Sequence, residues 1–230
     1  MRRVLFVLLL GLLCAVTAEA QQTNRSDRWL PAINAFEQSD KTNPPPRNAV
    51  LFIGSSSIRG WKTLAEDFPE HQVINRGFGG SQIEDSVAFA HRIVLPYRPR
   101  TVVFYAGDND LAAGNTPQQV FNDFKAFVSK VHEALPQTKV VFIAIKPSPS
   151  RWHLNEKTLE ANGLIERFCK SDRRLSFADV YTPMLGTDGS PKPNLFVKDN
   201  LHMNAEGYEL WTAVVKPHLV PRKGVPVTRR

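Results

Sequence analysis

The apolar residues of this chain form five short, continuous runs, separated by longer stretches in which apolar residues recur with a helical period. A continuous apolar run is typical of a parallel-sheet strand that is buried on both faces, whereas a half-buried strand alternates apolar and polar positions. We therefore predict buried strands at residues 49–54, 72–75, 101–107, 139–145 and 175–180.

The stretches between these runs predict helices. The clearest begins at Pro117 after the N-cap Thr116. Its apolar face carries Val120, Phe121, Phe124, Phe127, Val128 and Val131. Other helices are predicted around 83–94, 156–169 and 205–215, and a leader helix over 27–41 has Trp29, Leu30, Ile33 and Phe36 at helical spacing.

Strands that alternate with helices predict an α/β fold. The expected architecture is a flavodoxin-like three-layer α/β/α sandwich with a five-stranded parallel sheet. Such folds bind their ligands outside the carboxyl ends of the strands, so functional groups are expected just after each strand.

The first residues have the pattern of a secretory signal peptide: two arginines, an apolar run over 4–16, and small residues at 18 and 20. A membrane anchor is the alternative, but the run is shorter than the ~20 residues that a spanning helix needs. We predict a signal peptide over 1–20, cut after Ala20, a leader segment over 21–46, one domain over 47–220 and a basic tail over 221–230. The expected location is secreted or periplasmic.

Charge and cysteine content indicate which partners and which stabilising interactions to expect. The 230 residues carry a formal charge of +7, but the basic residues form no patch interleaved with aromatic residues, so no nucleic-acid partner is predicted. No stable membrane insertion is predicted, and the oligomeric state is left open. Cys14 lies in the predicted signal peptide, which leaves Cys169 without a disulfide partner. The domain must therefore be held together by its core.

Polar residues follow three of the predicted strands, and a further group precedes the last predicted helix. They are Ser55 to Ser57, the segment "RGFGGS" at 76–81, "DND" at 108–110, and "DNLH" at 199–202. Each alone has an ordinary explanation: a helix cap, a tight turn, a polar or cation-binding loop, and a helix N-terminus. Together they supply a nucleophile, oxyanion donors, an acid and a base, which ester hydrolysis by a serine requires.

These four blocks, in this order, resemble the SGNH hydrolases, also called GDSL esterases. "GSSSIRGW" matches the family's first block, which places Ser56 on the nucleophile and Ser55 on the usual aspartate. The second block is matched by Asn75, Gly77, Gly79 and Gly80, the third by Asn109, and the last by Asp199 and His202.

The resemblance implies a serine esterase with the triad Ser56, His202 and Asp199 and an oxyanion hole made by Ser56, Gly80 and Asn109. It implies no metal and no cofactor. Arg151 and Trp152 follow the fourth predicted strand and are candidate substrate contacts.

We expect a small-molecule or glycan ester substrate with a short acyl group, such as acetyl on a carbohydrate. A lysophospholipase or thioesterase, and an O-acetyltransferase, are alternatives with the same fold. Because Ser55 replaces an acidic residue, a non-catalytic glycan-binding module is a further alternative.

Overall fold

The computed structural model describes residues 26–219, which form a five-stranded parallel sheet between two layers of helices. The strand order is β2-β1-β3-β4-β5, as in a flavodoxin-like fold. This confirms the predicted fold class. The strands are β1 (Val50–Gly54), β2 (Val73–Gly77), β3 (Thr101–Tyr105), β4 (Lys139–Ile143) and β5 (Leu175–Ala178).

All five predicted strands are present, and their ends differ from the prediction by at most two residues. The second strand runs beyond its apolar residues, because Arg76 and Gly77 pair with Ile53 and Gly54 of β1. Apolar content alone could not indicate this extension. The pairing lies at an edge of the sheet, where a polar side chain reaches other partners.

The five predicted helices are present within a few residues of their predicted bounds, together with three short helices, at 56–59, 64–67 and 108–112, that were not predicted. They are α1 (Leu30–Thr42), α2 (Ser56–Arg59), α3 (Leu64–Asp67), α4 (Ile83–Ile93), α5 (Asp108–Ala112), α6 (Pro117–Ala134), α7 (Asn155–Lys170) and α8 (Ala205–Val215). Short 3-10 turns lie at Asp27–Trp29, Leu95–Tyr97, Pro149–Leu154, Thr182–Met184, Pro193–Leu195 and Lys216–His218.

The start of α6 is as predicted. The Thr116 side chain accepts a hydrogen bond from the Gln119 N–H, at 3.1 Å, and Pro117 occupies the first turn. A threonine cap accepts a hydrogen bond from one N–H that the first helical turn leaves unpaired. Proline has no N–H, so it leaves no donor without an acceptor at this position. Local chemistry therefore determines this helix boundary.

The sheet is covered by apolar side chains on both faces. Leu51 and Ile53 of β1 point into the cluster formed with α1, α4, α6 and α7, while Val50 and Phe52 point into the cluster formed with α8. Alternate residues of a strand face opposite ways, so a continuous apolar run fills two cores at once.

The leader helix α1 packs on the same face of the sheet as α4. Ile33 is fully buried, and Trp29, Leu30 and Phe36 are partly buried against the same cluster. Arg92 of α4 pairs with Glu37 of α1. The predicted signal peptide and basic tail lie in residues 1–25 and 220–230, outside the described residues.

The order of the strands decides where a site can form. From β1 the chain moves to β2 on one side of it, and then returns to β3 on the other side. The ends of these three neighbouring strands flank the point where the winding reverses, which is the usual ligand position in doubly wound sheets. No helix within residues 26–219 is long and apolar enough to cross a bilayer.

Candidate active site

The turn after β1 exposes one serine of three. Gly54 ends the strand at a φ of +140°, and a Cβ there would lie 1.7 Å from the Tyr105 carbonyl oxygen, so only glycine fits. Ser55 and Ser57 are buried, at 0% and 2% exposure, whereas Ser56 is partly exposed. Of the three hydroxyls, Ser56 is thus the one open to a substrate.

A continuous chain of hydrogen bonds joins Ser56, His202 and Asp199. The distance from Ser56 Oγ to His202 Nε2 is 3.0 Å. His202 Nδ1 lies 2.6 Å from Asp199 Oδ2. Because the carboxylate can only accept, Nδ1 carries the proton, and Nε2 is free to accept from the serine hydroxyl.

Asp199 is held in its ionised form by several donors. The His202 ring bonds to one carboxylate oxygen, and the N–H groups of Leu201 and His202 donate to the other at 2.9 and 2.8 Å. The hydrogen bond with the His202 ring, together with these N–H donors, lowers the pKa of Asp199 to about 2. A charged carboxylate therefore faces the imidazole at neutral pH.

The loop that carries Asp199 and His202 closes on itself before α8. The Val197 N–H donates to the His202 carbonyl at 2.9 Å, and Asn200 adopts a left-handed φ of +57°. Asn204 then caps α8 by accepting from the Gly207 N–H at 3.1 Å. The cap ends the loop, and the loop brings His202 to Ser56 across 146 positions of sequence.

The glycine-rich segment after β2 is tied to the turn that carries Ser56. Asn75 accepts from the Gly77 N–H at 2.9 Å and donates to the Ile58 carbonyl at 2.8 Å. Gly80 has a φ of +80°, and the ring of Trp29 lies 3.2 Å from where its Cβ would be. Glycine is therefore favoured at this position by both conformation and space.

Asn109 follows β3 and connects to the same segment. Its Nδ2 donates to the Ser81 carbonyl at 3.0 Å, next to Gly80. Within residues 26–219, neither the Gly80 N–H nor the Ser56 N–H has a hydrogen-bond acceptor. The strand ends thus bring the predicted oxyanion donors to one edge of the sheet.

Arg151 and Trp152, the candidate substrate contacts, follow β4 and have different surroundings. The Arg151 guanidinium contacts Asn109 and Asp108, while Trp152 is half-buried and packs against the apolar cluster around α8. No three His, Cys, Asp or Glu side chains come together as a metal site anywhere in the described residues.

The site has neighbours to which the sequence analysis assigned no individual role. Lys146 is buried beside Asp108, and the ring of Trp29 in the leader lies against Gly80. Asp110 is also buried, and it belongs to the polar run at 108–110 that the sequence analysis had selected. A lysine that ends an apolar strand run could have suggested a buried ion pair.

The family model of the GDSL-like lipases and acylhydrolases matches residues 48–210, which is more than half of the chain. This chain belongs to that family. Trp29 and the rest of the leader helix lie outside the matched residues.

The chain is similar to curated acetylhydrolases along most of its length. It is 28% identical over 196 residues to the platelet-activating factor acetylhydrolase IB subunit alpha1 of Homo sapiens, covering 82% of this chain and 81% of that protein. The counterpart from Rattus norvegicus is 26% identical over the same length.

Solved structures agree with the fold. A Streptococcus pneumonia protein, named as a candidate platelet activating factor, superposes with a TM-score of 0.74 at 20% identity and covers 87% of this chain and 99% of its own. A GDSL-like lipase from Bacteroides thetaiotaomicron superposes with a TM-score of 0.69 at 22% identity, over 81% and 96% of the two chains. The chain is therefore a hydrolase of the GDSL-like family with the expected sandwich fold.

Ser55 stands where the SGNH resemblance has an aspartate. It is fully buried, and its hydroxyl has no hydrogen-bond partner in the described part of the chain. The hydrogen-bonded acid in this structure is Asp199, on a different loop. The missing carboxylate therefore leaves the Ser56, His202 and Asp199 chain intact.

Proposed function

We propose that this protein is a serine esterase that hydrolyses carboxylic esters with a short acyl group. The observation that carries the proposal is the hydrogen-bonded chain from Ser56 through His202 to Asp199, at 3.0 and 2.6 Å. The order of groups is that of a nucleophile, a general base and an orienting acid.

In this proposal Ser56 Oγ attacks the ester carbonyl carbon while His202 Nε2 takes the hydroxyl proton. Asp199 holds the imidazole tautomer and stabilises the imidazolium. The negative charge on the carbonyl oxygen is met by the N–H groups of Ser56 and Gly80 and by the Asn109 amide. The tetrahedral intermediate collapses, His202 gives its proton to the leaving alcohol, and the acyl group stays on Ser56.

Water then completes the cycle by the same chemistry in reverse order. His202 Nε2 removes a proton from a water molecule, whose oxygen attacks the acyl carbon. The second intermediate expels Ser56 Oγ, which recovers its proton from His202, and the carboxylic acid leaves. The residues described here account for each proton transfer.

Two observations favour a short acyl group. The similar human protein is named an acetylhydrolase. Within residues 26–219, the large apolar side chains with substantial exposure are Leu159 and Val197, and only Val197 belongs to the loop of Asp199 and His202. A surface for long acyl chains or lipid aggregates needs a larger apolar area.

The test is hydrolysis of p-nitrophenyl acetate, butyrate and octanoate by the wild-type protein and by Ser55→Ala, Ser56→Ala and Ser57→Ala. Ser56→Ala is expected to lower kcat by a factor on the order of 10⁴ or more. The other two variants are the matched controls, and they are expected to stay within about tenfold of wild type, because they do not remove the nucleophile. Loss of activity in Ser55→Ala or Ser57→Ala alone would contradict the assignment.

The profile across the esters separates the alternatives. A rate that rises with acyl length would favour a lysophospholipase or thioesterase, and acetyl transfer that exceeds hydrolysis in the presence of a sugar acceptor would favour an O-acetyltransferase. A folded wild-type protein that hydrolyses none of the esters, and no acetylated sugar, would favour the glycan-binding module.

We also propose that the protein is secreted or periplasmic and is cut after Ala20. The pattern of residues 1–20 supports this proposal. The intact mass of the protein recovered from the exporting host tests it: a mass that includes residues 1–20 would contradict cleavage.

A further inference from the structure

A buried ionic cluster lies directly behind Asn109. It consists of Asp108, which follows β3, and of Lys146 and Arg151, which follow β4. The side chains of Lys146 and Asp108 are 1% and 8% exposed, and that of Arg151 is 22% exposed. The mechanism proposed above uses none of these three charged groups, and charged side chains are buried at a high cost even when they are paired.

Asp108 is the centre of this cluster. One carboxylate oxygen lies 2.9 Å from Arg151 Nη1 and 3.5 Å from Lys146 Nζ. The other accepts the backbone N–H of Asn109 at 3.0 Å. Both carboxylate oxygens of Asp108 are therefore engaged, and the acid that contacts the guanidinium is itself held in place.

The same guanidinium also reaches the Asn109 side chain. Arg151 Nη2 donates to Asn109 Oδ1 at 3.0 Å, while Asn109 Nδ2 donates to the Ser81 carbonyl at 3.0 Å. An amide has two N–H groups, so these contacts occupy the oxygen and one N–H. The second N–H remains available for an oxyanion.

We propose that Arg151 is a positioning residue for Asn109, and that Asp108, itself paired with Lys146, holds its guanidinium in place. The terminal side-chain torsion angle of asparagine has a broad distribution, so an amide without hydrogen-bond partners samples many orientations. An oxyanion donor works best when its direction is set before the reaction. The planar fork of arginine can contact Asp108 and Asn109 at once, which a lysine cannot do.

A fixed positive charge at Asn109 Oδ1 has a second effect. It draws electron density towards the amide oxygen and makes the remaining N–H a stronger donor, as expected for hydrogen bonds that polarise one another. The inference rests on the proposed function, because it assigns Asn109 to the oxyanion hole. It also assigns Arg151 to the enzyme's own machinery rather than to direct contact with substrate.

The kinetic test compares wild type, Arg151→Met, Arg151→Lys, Asn109→Ala and the double variant Asn109→Ala/Arg151→Met on p-nitrophenyl acetate. Arg151→Met is expected to lower kcat by about 10- to 100-fold with little change in KM, as misplacement of a catalytic group does. In the Asn109→Ala background the same substitution is expected to change kcat by less than about twofold, since the group that it positions is gone.

Two substitutions serve as comparisons. Arg151→Lys keeps the positive charge but loses the planar fork, so it is expected to recover little of the lost kcat. Arg174→Met removes an arginine that pairs with Asp172 at the opposite end of the sheet, and it is expected to leave kcat unchanged. Thermal unfolding of each variant shows whether a loss of activity follows from a loss of folded protein.

Several results would overturn the proposal. One is that Arg151→Met lowers kcat equally in the wild-type and Asn109→Ala backgrounds. Another is that Arg151→Met changes only KM, which would assign Arg151 to substrate binding. The third is that Arg151→Lys has the kcat of wild type, which would leave the positive charge alone as the cause.

A measurement without turnover separates this proposal from the proposed function. The Asn109 side-chain amide resonances of ¹⁵N-labelled protein, assigned by their loss in Asn109→Ala, are expected to shift in Arg151→Met towards those of exposed asparagines. Unchanged resonances would refute the contact even if no ester is hydrolysed. Changed resonances in a protein that hydrolyses no ester would support the contact and refute the esterase.

Discussion

Replacing Asp110 by asparagine is expected to remove a large pH dependence from the stability of the fold. Asp110 is fully buried beside the site, where one carboxyl oxygen accepts the Ile83 N–H at 3.0 Å. Burial, with a smaller contribution from the nearby carboxylates of Asp108 and Asp123, raises its pKa from 3.8 to about 7, against the lowering effect of that hydrogen bond.

The sign follows from which state binds the proton. Between pH 4 and pH 7 the unfolded chain loses the Asp110 proton while the folded protein keeps it, so the free energy of unfolding falls as pH rises. The pKa difference is about 3 units, from 3.8 to about 7, and each unit corresponds to 1.36 kcal/mol. The expected loss is therefore roughly 4 kcal/mol across this range.

The assay is urea unfolding followed by tryptophan fluorescence at a series of pH values, for wild type and Asp110→Asn. Asparagine has nearly the same shape and an oxygen that can accept the Ile83 N–H, so its own cost does not depend on pH. The difference between the two unfolding free energies is expected to change by roughly 4 kcal/mol between pH 4 and pH 7.

Asp188→Asn is the matched control. Asp188 is exposed, and hydrogen bonds from the Ser190 N–H and hydroxyl lower the pKa of its carboxyl. Its contribution is complete above about pH 5 and is lost as the pH falls through the unfolded pKa of 3.8 and below, so the difference from wild type is expected to be flat above pH 5. Parallel curves for wild type and Asp110→Asn over the whole range would refute the buried, protonated carboxyl.

Two further substitutions test the packing around the site. Trp29→Ala removes a ring that packs against Phe78 and Gly80. It is expected to lower the free energy of unfolding by up to about 3 kcal/mol and to lower kcat. An unchanged kcat would mean that the leader does not support Gly80. Asn162→Ala removes hydrogen bonds of 2.8 and 2.9 Å to the N–H and carbonyl of Ile145. Each backbone group left without a partner is expected to lower the free energy of unfolding by about 1–3 kcal/mol. A decrease below about 1 kcal/mol in urea unfolding would contradict this expectation.

Local patterns predicted the elements well because each depends on neighbouring residues. The Thr116 cap and Pro117 placed the start of α6, and α8 spans the predicted residues 205–215. Boundaries that depend on pairing were less accurate: β2 continues through Arg76 and Gly77 because β1 lies beside it. A polar residue in a strand end carries no local sign of its partner.

The sequence by itself determined the fold class and the chemical groups of the candidate site. Continuous apolar runs dictate strands buried on both faces, and the residues after them supply a serine, glycines, an asparagine, an aspartate and a histidine. The family resemblance placed Ser56 on the nucleophile, but only the tertiary structure shows that this serine is the exposed one and lies 3.0 Å from His202, because exposure and contact are properties of packing. The tertiary structure likewise placed Arg151 on Asn109 and Trp29 on Gly80, contacts between distant segments that only the sheet order brings together.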